Sequence, residues 1–392
     1  MIVTLTPLMK IKTFLWHIFT DPFFATFCAS ILGYSIFHIA AFTRPITEAN
    51  FPEKNLFQPN FINPDHSIQS IAYLLMAHDR KSMKGLLRIV NSLYHPKHFF
   101  FFHIDAKVEL DEFNDFKNTI LSNYGNSNVI FDVQRVDVKW GSFEIVQAEI
   151  NLLESAVNLN KKMHFTEKWT RAHFLCGYTI PLHSREYIDM KFANFPAESN
   201  IVFDFQGNFS VCEKTPFDPC NRTPARCLDR LCTQMHMTPN NGVIYKGQQW
   251  VSLSQSFAEF LFGEGRAYFE GWISFFKSYC TFAPDELFFQ TLLMNSRYRE
   301  TAALSYNRKI SGYKTLPLLY VRWNDCKSFK SARSQAGESP CDLGIDDIDS
   351  IDFNFLFARK VAVDDDDRLY RFINERIIKI ETTRSKNPAE YV

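Results

Sequence analysis

The segment Phe282-Ala283-Pro284-Asp285-Glu286-Leu287-Phe288-Phe289 places two carboxylates directly after a proline and directly before an apolar run. Proline at the first position of a helix has no N–H to leave unsatisfied, and an acid in the first turn faces the positive end of the helix dipole, which favours its ionised form. The pattern therefore predicts a helix start at Pro284 that holds Glu286 as a carboxylate suited to general-base chemistry. The same pattern also fits an acidic pair that does no more than stabilise a helix start.

Other residues able to do chemistry stand where apolar runs end. His78 and Asp79 follow the run Ile71–Ala77, and His103 and Asp105 close the run that begins Phe99-Phe100-Phe101-Phe102. If these runs are strands of an open α/β sheet, all four side chains fall at the carboxyl ends, where such sheets bind ligands. Taken singly, each is equally a turn-former or a satisfied polar group. No glycine-rich loop follows the first run, so neither a Walker nor a dinucleotide site is expected. The cysteines at 212, 220, 227 and 232 are separated by seven, six and four residues, without the close pairs of common zinc sites. The Asp-x-Asp patterns at 346–349 and in the acidic run 364–367 read as solvated surface.

The elements that must hold these residues follow from hydrophobic period. After the run from Ile71, apolar Met83, Leu86, Leu87, Val90 and Leu93 recur at helical spacing before the Phe-rich run, which makes a strand, helix, strand unit. A helix near 111–123, a strand near 129–133, and a helix with Val146, Ile150, Leu153 and Val157 on one face continue the alternation. The Phe runs, drawn from 40 Phe in 392 residues, argue for a buried sheet.

Lys plus Arg and Asp plus Glu both total 43, so no basic excess favours nucleic acid and no acidic excess favours disorder. Residues 22–43 hold no charged side chain and are long enough to cross a ~30 Å hydrocarbon core as a helix. With Lys10 and Lys12 before this stretch and Arg44 after it, the reading is an uncleaved signal anchor with a cytoplasmic tail at 1–21, against the rival of a cleaved signal peptide. A proline-bearing stem at 44–68 then leads to a luminal domain at 69–392. Eight of the nine cysteines lie beyond the span, an even number that permits disulfides in an oxidising lumen without fixing their pairing. Asn208-Phe209-Ser210 is a glycosylation sequon, whereas Asn221-Arg222-Thr223 is followed by Pro224 and is a poorer acceptor.

The blocks taken in order resemble a known family. Ile71-Ala72-Tyr73-Leu74-Leu75-Met76-Ala77-His78, Leu93-Tyr94-His95-Pro96 and His103-Ile104-Asp105 are similar to motifs of the core-2/I-branching β-1,6-N-acetylglucosaminyltransferase and xylosyltransferase family. Trp140-Gly141-Ser142, Leu175-Cys176-Gly177, Pro284-Asp285-Glu286, Tyr320-Val321-Arg322-Trp323 and Leu356-Phe357-Ala358-Arg359-Lys360 continue the series. The resemblance implies a glycosyltransferase-A type open twisted α/β sheet with flanking helices, a type II Golgi membrane protein, a UDP-sugar donor, a glycan or glycoprotein acceptor, inversion at the anomeric carbon, and no metal or other cofactor.

Carried over by motif, the resemblance makes Glu286 the catalytic base and Trp323 the residue that stacks on the acceptor sugar. Met76, His78 and Asp105 fall at the nucleotide end of the donor site, and Lys360, with Arg359 beside it, at the diphosphate. Two departures stand out: Thr179 where family members often carry Asp, and the lack of a second basic residue in Gly337-Glu338-Ser339-Pro340, a place Arg333 or Arg359 would have to fill. The expected function is transfer of N-acetylglucosamine in β-1,6 linkage to an O-glycan. The alternatives are glucose or xylose as donor sugar, or a catalytically silent homologue that binds glycan or a partner in the Golgi.

Overall fold

The computed structural model describes residues 69–164, 168–203, 238–278, 283–309, 311–328, 339–361 and 367–386. All of these belong to one compact unit, Asn60–Val392. The expected span at 22–43, the stem, Asn208, Arg333, Glu338 and the cysteines at 28, 212, 220, 227, 232 and 280 lie outside the described residues. Among the described residues no helix is long and apolar enough to cross a membrane.

Strand β1 (Ile71–Ala77) is apolar on both faces and buried over nearly its whole length, the signature of an interior parallel strand. It pairs in parallel with β2 (Phe99–Ile104) on one side and β4 (Arg171–Cys176) on the other. Helix α1 (Arg80–Leu93) makes the crossover between β1 and β2. Asp79 caps it by accepting from the Ser82 N–H at 2.7 Å, and Ser82 returns the bond to the Asp79 N–H at 3.1 Å, a reciprocal capping box. Met83, Leu86, Ile89, Val90 and Leu93 face the sheet, and all four phenylalanines of β2 are buried. Helices α2 (Leu110–Tyr124) and α3 (Phe143–Lys162) follow the expected periods.

The strand expected over 129–133 is shorter. β3 covers only Val129–Ile130 because the chain beyond it bonds to the end of β2 instead of extending the ladder. The Arg135 guanidinium donates to the carbonyls of Ile104, Asp105 and Val108 at 3.0, 2.8 and 2.5 Å. This departure from the sheet edge brings residues 136–141 over the carboxyl ends of β1 and β2.

β5 (Thr179–Pro181), α4 (Arg185–Ala193), β6 (Asn200–Phe203), β7 (Ser252–Ser254), α5 (Gln255–Leu261), α6 (Arg266–Ser278), α7 (Phe288–Met294), β8 (Ala302–Leu304) and β9 (Lys314–Thr315) follow. Together the strands form an eight-stranded sheet in the order β3-β2-β1-β4-β7-β6-β8-β9, and a three-stranded sheet in which β11 (Phe357–Arg359) lies between β10 (Leu319–Val321) and β5. Helix α8 (Arg368–Lys386) closes the described chain. This is the expected mixed α/β architecture.

The two sheets meet at a close approach. A Cβ on Gly85 of α1 would lie 1.6 Å from the Gly177 carbonyl oxygen, and one on Gly177 would lie 1.8 Å from that of Ser82. Only glycine at both positions lets the helix rest on the turn between β4 and β5.

Candidate active site

A cavity of about 780 Å³ opens at the carboxyl ends of the central strands. Met76, His78, Asp105, Glu286, Trp323, Arg359 and Lys360, scattered over nearly 300 positions of sequence, all line it.

At the β1–β2 end the side chains are fastened to one another. Asp105 is buried and accepts from the Lys107 N–H at 2.8 Å, the Lys107 ammonium at 2.8 Å and the Val138 N–H at 3.2 Å. It therefore shapes the loops as much as it faces the cavity. His103 accepts from the Val136 N–H through Nε2 at 3.0 Å, and burial lowers its pKa to about 4, so its ring is neutral. His78 is exposed, with Nε2 3.5 Å from Asp79. Burial alone would raise the Asp79 carboxyl, but hydrogen bonds from Ser82 and Tyr178 and the His78 charge outweigh it and hold the group below its usual value. The Tyr178 hydroxyl donates to Asp79 at 2.9 Å.

The catalytic candidate sits on a different element from the one its sequence predicts. Pro284–Glu286 is a separate 3-10 turn, entered through Ala283 in the left-handed region (φ 47) and left through Leu287, whose backbone is not helical. The α-helix begins only at Phe288 and lasts seven residues, so Glu286 is not in its first turn and the helix dipole does not account for its charge. The turn is held by backbone bonds: the Ala283 N–H donates to the Gly141 carbonyl at 2.9 Å, and the Gly247 N–H donates to the Glu286 carbonyl at 2.8 Å. Below it, Phe288 packs edge-on against Phe276 at 5.6 Å.

The two acids of the turn have different surroundings. The Glu286 side chain is 37% exposed and its Oε2 lies 3.9 Å from the Lys246 ammonium. Asp285 is buried and its Oδ1 has no hydrogen-bond partner. Burial, then the Glu286 charge, pushes Asp285 up to about 7. Glu149 of α3 is also fully buried; burial first, and the Asp285 charge second, raise its pKa well above the usual carboxylate range. Gln249 donates to its Oε1 at 3.2 Å while its Oε2 lacks a partner. Glu149 could have been found in the sequence, since it lies on the same helical stripe as Val146, Ile150 and Leu153.

Among the described residues four Lys or Arg side chains line the cavity: Lys107, already paired with Asp105, and three more. The Arg359 Nε donates to Cys176 Sγ at 3.4 Å and its guanidinium lies 5.0 Å from the Trp250 ring. Lys360 pairs with Asp342 at 3.1 Å and lies 5.3 Å from the Tyr178 ring. Lys246 is the third, and nothing in Tyr245-Lys246-Gly247 distinguishes it in the sequence. Thr179 is buried in β5, its hydroxyl 3.6 Å from Cys176 Sγ, so Cys176 and Tyr178, rather than Thr179 itself, face the cavity.

Trp323 is 45% exposed at the rim and Trp140, which motif reasoning left without a role, is 63% exposed. Neither indole is buried in the core. Cys326 and Cys341 form a disulfide, and the Cys341 N–H donates to the Arg322 carbonyl at 2.8 Å, which ties down the backbone beside Trp323. Cys176 is a buried thiol.

One Asp-x-Asp reading needs correction. Asp346 and Asp349 are exposed, but Asp347 is buried and accepts backbone N–H bonds from Lys327, Ser328 and Gly344. These hydrogen bonds satisfy a carboxylate that would otherwise stay in water. Of the acidic run 364–367, only Asp367 is described, and it pairs with Arg88.

The family model described as Core-2/I-Branching enzyme matches residues 71–352. A bovine beta-1,3-galactosyl-O-glycosyl-glycoprotein beta-1,6-N-acetylglucosaminyltransferase is 23% identical over 334 residues, covering 81% of this chain and 72% of its own length. The mouse beta-1,3-galactosyl-O-glycosyl-glycoprotein beta-1,6-N-acetylglucosaminyltransferase 3 is 22% identical over 283 residues, 70% of this chain and 59% of its own. Human xylosyltransferase 2 is 23% identical over 269 residues, 65% of this chain but 29% of its own.

Proposed function

The chain belongs to the core-2/I-branching enzyme family and is a glycosyltransferase, and from that premise we propose that it transfers N-acetylglucosamine in β-1,6 linkage from a UDP donor to an O-glycan acceptor. The observation that carries this reading is a partly exposed carboxylate, Glu286, in one cavity with Arg359, Lys360 and the exposed indole of Trp323.

In the proposed reaction Glu286 takes the proton of the acceptor hydroxyl while that oxygen attacks the anomeric carbon from the face opposite the phosphate. The carbon–oxygen bond to the β-phosphate breaks, its electron pair leaves with UDP, and the anomeric centre inverts. Arg359 and Lys360 meet the charge that grows on the diphosphate, and fixed cations in a partly desolvated site do this without reorganisation. This assigns to side chains the work that a divalent metal does elsewhere, so transfer is independent of added metal. Trp323 stacks on the apolar face of the acceptor sugar. Met76, His78 and Asp105 lie at the nucleotide end. A Golgi membrane location with a luminal catalytic domain accords with the N-terminal apolar stretch and with a glycoprotein acceptor.

Xylose as donor sugar is the second reading, favoured by the comparable identity to human xylosyltransferase 2. A hydrolysis screen of the purified protein against a panel of nucleotide sugars decides between them. Release of UDP from UDP-N-acetylglucosamine is the expected result; release from UDP-xylose or UDP-glucose alone moves the assignment to that sugar. A folded protein that cleaves no member of the panel overturns the enzymatic reading of the site.

A further inference from the structure

Glu286 has to be ionised to accept a proton, and among the described residues two buried acids stand beside it. The turn that carries it is not the start of the α-helix, so no helix dipole supports the charge. Directly beside it lies Asp285, buried, and behind that Glu149 of α3, also buried, each with one carboxyl oxygen lacking a partner. Asp285 ionises only near neutral pH, and there its charge favours the neutral form of Glu286. From the end of β11, Arg359 bears on Asp285, but its guanidinium is engaged with Cys176 and Trp250. The cation closest to the Glu286 carboxylate among the described residues is Lys246, at 3.9 Å.

Lys246 is held there by construction. The next residue, Gly247, donates its N–H to the Glu286 carbonyl at 2.8 Å, and a Cβ on Gly247 would lie 2.2 Å from the Val202 carbonyl oxygen of β6. Glycine alone lets the backbone pass between β6 and the catalytic turn, and the residue before it thereby stands over Glu286.

We propose that Lys246 is a positioning residue that keeps Glu286 ionised before reaction and is handed over to the departing diphosphate when Glu286 is protonated. This rests on Glu286 being the base. As the acceptor proton arrives on Glu286, the negative charge that Lys246 faced disappears, and the electron pair of the breaking bond places a new one on the phosphate side of the same cavity. Lys246 then adds to Arg359 and Lys360 at the moment the leaving group needs a counter-charge.

The test is a titration of the full chain labelled with ¹³C at glutamate carboxyls, the Glu286 resonance being identified by its absence in Glu286→Gln. Lys246→Met should raise the pKa of Glu286 by about one unit, the lower end of the effect of a neighbouring opposite charge, and Lys246→Arg should restore it. A Glu286 titration unmoved in Lys246→Met overturns the proposal whether or not Glu286 is the base. The hand-over is read with UDP as probe. Lys246→Met should weaken UDP binding several-fold more in the Glu286→Gln background than in the wild type, and equal weakening in both overturns that half. Failure of the base assignment has its own signature, full turnover in Glu286→Gln.

Discussion

Asp285 of the Pro284–Glu286 turn adds its charge to the burial that raises the pKa of Glu149 on helix α3, and each of these two buried acids leaves a carboxyl oxygen without a partner. Two such groups cannot both ionise cheaply, so the pair retains a proton into the neutral range.

Stability should therefore fall as pH rises. Asp285 ionises near 3.8 in the unfolded chain but near 7 in the folded one, so between these values the unfolded state binds fewer protons and gains on the folded state. The contribution is fully present below about pH 4 and lost by about pH 7, an effect of roughly 4 kcal/mol at most. His103 and His173, held neutral by burial with pKa values of about 4 and about 3, work in the opposite sense, because their neutral forms cost stability as the solution becomes acidic. The measurement is thus a difference: denaturation midpoints of Asp285→Asn and wild type should diverge in favour of the variant from pH 4 to 7. Parallel curves would mean that Asp285 ionises normally.

Glu286→Gln should lower turnover by about two to four orders of magnitude, the usual effect of removing a general base, with UDP affinity retained. Single-turnover assays separate the two quantities, and turnover within a few-fold of wild type removes Glu286 from the mechanism.

Lys360→Ala should lower turnover by about two to three orders of magnitude, as for loss of one fixed contact to developing charge. Lys360→Arg should recover part of this, since charge survives while the compact ammonium geometry does not. Activity should persist in excess EDTA. Activity abolished by EDTA and restored by manganese would transfer the diphosphate role from the lysine to a metal.

Trp323→Ala should raise the acceptor KM by about two- to thirteenfold, equivalent to the ~0.5–1.5 kcal/mol of an aromatic contact. Its melting temperature should scarcely move, because the ring is 45% exposed. Loss of stability with an unchanged KM would return Trp323 to a packing role.

The first half of the fold was legible because its elements are long and periodic. β1, α1 and β2 followed from an apolar run, a helical stripe and a Phe run, and seven site residues named from motif order gather in one cavity. β7 and β8, at three residues each, are too short to show a period and draw their register from neighbours. The sequence pattern puts Pro284 at the first position of a continuous helix, but the left-handed Ala283 and the irregular Leu287 isolate a single 3-10 turn. Asp347 looks like surface in the sequence because a sequence does not display the three backbone N–H groups that satisfy it. Lys246 is not distinguished in the sequence for a related reason: the carboxylate it faces lies 40 positions away.

The glycine contact between α1 and the β4–β5 turn divides the cavity into parts that differ in their capacity to change. With Gly85 and Gly177 too close to admit a methyl group on either, the wall bearing Cys176 and Tyr178 is mechanically one piece with helix α1, and substitution there disturbs the central sheet. At the rim, Trp140 and Trp323 are instead 63% and 45% exposed. A substitution at an exposed rim indole therefore costs the fold less than one at the glycine contact, so the same frame leaves the rim of the cavity freer to vary than the wall beside α1.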